Sequence, residues 1–297
     1  MRNINGLVVK VVAWIFGIFI IVWTVFPIYW AINVSLMNEI DVLMKPALYV
    51  PIRPTIESYW IIFNIKEAMV GARPGSTFFI PQAAASILPT LTNSLIVAIT
   101  VMIINIVFGP IASHIFYTVK FSKSNILFWI IVLTRLMPLA ALLLPIFVIF
   151  KILNLFNSLL GLVLIYSALT LPISIWISYI NFEGFPTECE EAALVDGYSR
   201  LEIYYKIAFP LIKPIIATVA LFSFIFAYGE FFLAMLLTSS DVARTLPVII
   251  SSIVGTYHAL PSMVMATVVI GMAPPLIVFI LARKYVIRGI IYYTGQR

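Results

Sequence analysis

Six stretches of this chain are apolar over lengths that cross a bilayer, and no other feature constrains the fold as strongly. They run from Val11 to Leu36, Leu88 to Ile111, Ile126 to Phe150, Leu159 to Ile180, Ile212 to Leu237 and Pro261 to Ala282. A helix needs about 20 mainly apolar residues to cross the hydrocarbon core, and each run reaches that length. Backbone polar groups find no water there, so an isolated apolar run crosses as a helix, which satisfies its own N–H and C=O groups. Composition agrees: 63% of residues are hydrophobic and 10% charged, where a soluble domain carries about 25% charged residues. The expected fold is therefore all-α and integral to the membrane, with six transmembrane helices in a single domain over residues 1–297. The apolar core of the first run exceeds that of a signal peptide and no small-residue cleavage site follows, so it is read as a retained anchor.

An even number of spans puts both termini on one side. Eleven of the Lys and Arg residues fall on that side, among them Lys10, Lys120, Lys123, Arg200, Lys206, Lys213, Arg283 and Lys284. Six fall on the other: Lys45, Arg53, Lys66, Arg73, Lys151 and Arg244. Basic residues accumulate on the cytoplasmic side, so both termini are expected in the cytoplasm of a multi-pass plasma-membrane protein. Residues 37–87 then form an extracytoplasmic loop, with prolines at 46, 51, 54, 74 and 81 and a short helix over Glu57–Val70. Residues 183–211 form a cytoplasmic loop between spans four and five.

The net charge of +6 is spread along the chain rather than gathered into a basic stripe, which excludes a nucleic-acid partner and leaves membrane lipid as the surrounding phase. A single cysteine, Cys189, forms no internal disulfide and supplies no metal-ligand pair. His114 and His258 are read as isolated near span ends, and no metal site or catalytic constellation is expected. No G-x-x-x-x-G-K-[ST] phosphate loop occurs, so the chain is expected to bind no nucleotide or other cofactor itself.

The cytoplasmic loop contains the one polar, helix-forming island in the chain, EEAALVDGYSRLEIYYKIAFP from Glu190 to Pro210. Thr187 with Glu190 has capping-box spacing, and Glu191, Ala192, Ala193 and Leu194 favour helix. Gly197 stands where a helix ends in a left-handed residue. Ser199 with Glu202 has the spacing of a second capping box, which opens a helix toward Pro210. Helix, glycine turn, helix is a rigid projection suited to seat in a cytoplasmic partner and pass its motion to spans four and five. The alternative is a connector lying on the headgroups; its acidic residues Glu190, Glu191, Asp196 and Glu202 argue against that, because anionic lipid favours Lys and Arg.

The island resembles the cytoplasmic signature loop of ABC importer permeases, E-A-A, three residues, G, nine residues, I-x-L-P. Glu191-Ala192-Ala193, Gly197, Ile207 and Pro210 keep every spacing, and Phe209 stands in place of the leucine. Asp196 and Tyr204 also fall where that family favours an aspartate and an aromatic. The likeness extends through PTIESYWIIF, TNSLIVA, RLMPLAALLLPIF, LPISIWI, YGEFFLA, RTLPV and the tail RKYVIRGIIYYTGQR. These stretches resemble the carbohydrate-type subfamily, and within it the maltose-system G-subunit permeases. Tyr228 and Gly229 depart from the Trp-Asn usual before Glu230. The resemblance implies a heterodimer with a second homologous permease, a cytoplasmic ABC ATPase dimer that holds the ATP and Mg, an extracellular solute-binding protein and a sugar or oligosaccharide substrate. It also implies that Glu191 to Leu194, Asp196, Gly197, Tyr198, Tyr204, Ile207 and Pro210 make the ATPase-coupling loop of a non-catalytic subunit.

Within the spans, Arg135 and Glu230 are the two charged candidates for the translocation pathway, since an intramembrane charge is costly and faces protein or water. A structural pair or a snorkelling arginine is the competing reading. An ion-coupled secondary transporter acting without an ATPase is the alternative function. It calls for several intramembrane carboxylates where the chain has one, and it leaves the island unexplained.

Overall fold

The computed structural model describes residues 2–65, 67, 82–118, 123–182, 187–255 and 260–294. Lys66, Arg73, Pro74, Pro81, Lys120, Pro186, His258 and the far end of the outer-loop helix expected over Glu57–Val70 lie outside the described residues. All regular structure among those described is helical. Among the described residues, four helices are long and apolar enough to cross a membrane, through Val9–Ser35, Ala83–Thr118, Leu159–Phe182 and Pro261–Tyr285. Two further apolar segments pass that test only as bent pairs, and counting each pair once gives six.

The chain divides into two compact units. The first comprises Met1–Leu88 and Ile249–Met272. It holds α1 (Arg2–Ser35), α2 (Glu39–Val42), α3 (Glu57–Phe63) and the start of the last helix, Pro261–Thr294. Pro27 lies inside α1 without ending it. Glu39 accepts a hydrogen bond from the Ser262 N–H at 3.2 Å and another from the Ser262 hydroxyl, and so caps the N-terminus of the last helix. Burial raises the Glu39 carboxyl above its ordinary pKa, against the lowering effect of the Ser262 bonds. Ser58 Oγ on α3 lies 2.8 Å from Ser262 Oγ.

The second unit comprises Pro89–Val248 and Ala273–Arg297. Its helices are α4 (Ile87–Thr118), α5 (Ser124–Leu133), α6 (Leu139–Ile152), α7 (Leu159–Phe182), α8 (Thr187–Val195), α9 (Arg200–Ile203), α10 (Lys213–Gly229) and α11 (Phe232–Leu237). A buried polar seam joins α4 to α7. Asn105 Nδ2 donates to Thr170 Oγ1 at 2.8 Å, and Ser174 Oγ donates to Asn105 Oδ1 at 2.7 Å. One turn along α4, a Cβ added at Gly109 would stand 3.0 Å from Ser174 Cβ, so only glycine allows this close approach.

Two expected spans are not single helices. The third, expected from Ile126 to Phe150, is α5 and α6 at 96°. Pro138 disfavours helical geometry at the residue before it, and Met137 is accordingly extended with ψ 127°. The fifth, expected from Ile212 to Leu237, ends as α10 at Gly229, where Glu230 is extended with ψ 128° before α11 begins. The other span prolines, Pro110, Pro145, Pro172, Pro274 and Pro275, remain inside continuous helices.

Candidate functional site

The island folds as two capped helices. At its centre the Gly197 N–H donates to the Leu194 carbonyl at 3.1 Å, and the Tyr198 N–H to the Ala193 carbonyl at 3.0 Å. That pair of bonds is a Schellman motif, and it needs a left-handed residue at Gly197, whose φ is +85°. A Cβ there would meet nothing within 4 Å, so φ alone selects the glycine. Ser199 then caps α9: its hydroxyl accepts from the Glu202 N–H, and the Glu202 carboxylate accepts from the Ser199 N–H at 3.0 Å. The carboxylate also accepts from the Ser199 hydroxyl at 2.9 Å, and the Ser199 N–H, then that hydroxyl, then Lys206 at 3.1 Å lower the exposed Glu202 carboxyl to about 2. Lys206 also lies 4.8 Å over the Tyr198 ring, bridging the second helix back to the turn.

After α9 the chain makes one π turn over Tyr204–Ala208, in which the Phe209 N–H donates to the Tyr204 carbonyl. Pro210, which has no N–H to donate, follows at once. Pro214 enters the first turn of α10, and the two limbs Arg200–Ala208 and Lys213–Gly229 meet at 90°. The charged first limb lies outside the apolar run that begins at Ile212.

The inner side of this elbow is a core of Phe182, Tyr204, Ala208 and Ile212, with Ile111, Tyr117, Ile207 and Phe209 packed around it. It joins the end of α7, the end of α4, the π turn and α10. His114 lies on its edge, with Nε2 2.8 Å from Glu190 Oε1 and its ring centroid 5.4 Å from Phe182 and 5.3 Å from Tyr204. His114, isolated in the sequence, is thus held by three other segments of the chain. Glu190, expected to cap α8 with Thr187, is turned inward to His114; the Thr187 side chain lies outside the described residues. No sequence spacing signals a pair separated by 76 residues.

The remaining signature residues divide between the two sides. Ala193 and Tyr204 are buried and Ile207 half-buried, whereas Glu191, Ala192, Leu194, Asp196, Gly197, Tyr198 and Pro210 are exposed. The exposed surface of the turn carries apolar side chains, Val195 87% and Leu201 66% accessible beside Leu194 and Tyr198, set among the exposed Glu191, Asp196 and Arg200.

Arg135 and Glu230 are not an ion pair among the described residues. Arg135 stacks over the Phe226 ring at 5.0 Å. Glu230 is buried and accepts from the Tyr166 hydroxyl at 2.7 Å, from the Leu233 N–H at 3.0 Å and from the Ala234 N–H at 3.1 Å. Its carboxylate therefore caps α11 across the break that ends α10.

The sequence matches the family described as binding-protein-dependent transport system inner membrane component over residues 105–292. Among its relatives, the trehalose/maltose transport system permease protein MalG of Thermococcus litoralis is 31% identical over 89% of each chain. The sulfoquinovosyl glycerol transport system permease protein SmoH of Agrobacterium fabrum is 29% identical, over 89% of this chain and 86% of that one. A chain in the crystal structure of a bacterial ABC transporter that imports the acidic polysaccharide alginate has the same fold, with a TM-score of 0.71, 20% identity, and 96% and 97% of the two chains covered. The chain belongs to the binding-protein-dependent transport system inner membrane components, the permease subunits of ABC importers.

Proposed function

We propose that this subunit forms half of the translocation pathway for a sugar or oligosaccharide, and that residues 183–211 couple the pathway to a cytoplasmic ABC ATPase dimer. A second homologous permease supplies the other half, and an extracellular solute-binding protein delivers the substrate. ATP and Mg belong to the ATPase subunits; this chain binds no cofactor and does no chemistry. Both termini and the coupling segment face the cytoplasm, and residues 1–297 act as one transmembrane domain. The sugar assignment follows the substrates named for the relatives, trehalose or maltose and sulfoquinovosyl glycerol. Arg135, half-buried in the bend between α5 and α6, and Glu230, at the break after α10, are the charged residues assigned to the pathway in this reading.

One observation supports the coupling role above the rest. The turn α8–Gly197–α9 is fixed by a Schellman motif and a capping box, yet exposes Leu194, Val195, Tyr198 and Leu201 on its outer side. A rigid projection that exposes large apolar side chains at a polar stretch of chain has the character of a partner-binding surface. Cys189 provides the test, because it is the chain's one cysteine and is exposed on α8. A benzophenone maleimide attached there in the intact complex is expected to form its main protein adduct with an ATPase subunit. An adduct with lipid alone would overturn the assignment.

A further inference from the structure

His114, a side chain outside the island, meets both of its helical limbs, through Glu190 of α8 and Tyr204 of the π turn. It also meets Phe182 at the end of α7. The residue itself belongs to α4, whose polar seam with α7 begins at Asn105, nine residues and about 13 Å further along the same helix.

We infer that the His114–Glu190 bond is the link through which movement of α8 reaches α4 and, through α4, the transmembrane seam. The inference rests on the coupling role proposed for residues 183–211. Glu190 and Ala193 line the inner side of α8 while Leu194 and Val195 face out, so a partner that grips the outer side acts on a helix pinned inside by Glu190. The bond is directional, unlike the contacts of the surrounding aromatic core. It fixes how α8 is turned about its own axis, and a displaced α8 either carries His114 with it or breaks the bond. Both side chains are about nine-tenths buried, which denies them water as a substitute partner. A hydrocarbon pair of the same size would fill the space without costing the desolvation of two polar groups. His114 and Glu190 are therefore positioning residues for transport, and the signature pattern contains neither.

The test uses the whole complex, this chain with its permease partner, ATPase dimer and binding protein, in proteoliposomes. The quantity read is sugar delivered per ATP hydrolysed. His114→Ala and Glu190→Ala are each expected to lower that ratio about fivefold, the low end of the coupling between two linked sites. The double variant is expected to be no worse than the worse single one, because both remove the same link. His114→Gln keeps a donor for Glu190 and is expected to stay within about twofold of wild type. ATPase recovered per permease is expected to be unchanged in all of them.

A His114→Ala complex with the wild-type ratio overturns the inference. So does a loss that follows the amount of assembled complex and is equally deep in His114→Gln, which is the signature of a packing role. Neither result touches the coupling assignment, which is overturned separately if the wild-type complex delivers sugar with no ATPase present.

Discussion

Gly197 and Glu202 show how single residues shape the segment proposed to couple the pathway to the ATPase. Gly197 occupies φ +85°, where a Cβ-bearing residue is strained. Glu202 ties the second helix to its cap, and the tie depends on charge. The Glu202 carboxyl is lowered from 4.5 to about 2 in the folded segment, so its stabilising effect is complete above pH 4.5 and is lost as pH falls from 4.5 toward 2. Amide exchange of α9 and the π turn is therefore expected to be flat between pH 7 and pH 5, after correction for intrinsic rates. Below that range protection falls, and Glu202→Gln removes the step. A profile in which wild type and Glu202→Gln lose protection together would mean that another group holds the helix. The capping box was legible because Ser199 and Glu202 are three residues apart. The His114–Glu190 bond was not, because the partners come from α4 and α8 and are joined by tertiary structure alone.

At the scale of elements, the breaks in the spans carry most of what differs from expectation. Hydropathy counts apolar residues and is blind to direction, so it read Ile126–Phe150 as one crossing although Pro138 divides it into limbs at 96°. Most of the other span prolines stay within helices, and proline alone therefore did not mark which site would bend. The break after α10 was hidden for a different reason. Glu230 read only as an intramembrane charge, and nothing in its spacing showed that its carboxylate receives two backbone N–H groups of α11 and the Tyr166 hydroxyl. Tyr166→Phe is expected to destabilise the detergent-solubilised protein by about 1 kcal/mol, and Glu230→Ala by about 3 kcal/mol because buried donors are left unpaired. Denaturant unfolding followed by tryptophan fluorescence checks that order. Equal stability of Glu230→Ala and wild type would show that the break is set elsewhere.

For the molecule as a whole, the helical membrane class and the position of the polar island were readable because each depends on local pattern. Apolar run length sets a span, and the spacing of Glu191, Ala192, Ala193, Gly197, Ile207 and Pro210 marks the loop. What holds the loop in place was not readable, since the core of Phe182, Tyr204, Ala208 and Ile212 joins the end of α7 to the island and has Ile111 and Tyr117 of α4 packed against it. The central claim is that this segment docks the ATPase. Affinity purification of the chain from its native membrane, wild type beside Gly197→Pro, tests it most directly. Proline fixes φ near −65° and removes the N–H that bonds Leu194, so it destroys the turn without altering an apolar span. Wild type is expected to bring down a second permease and an ATPase in near-equal amounts, and Gly197→Pro to keep the permease while the ATPase falls about tenfold or more, the effect of ~1.4 kcal/mol or more of lost docking. Equal recovery of the ATPase with both chains, or recovery of the wild-type chain alone, would contradict the account.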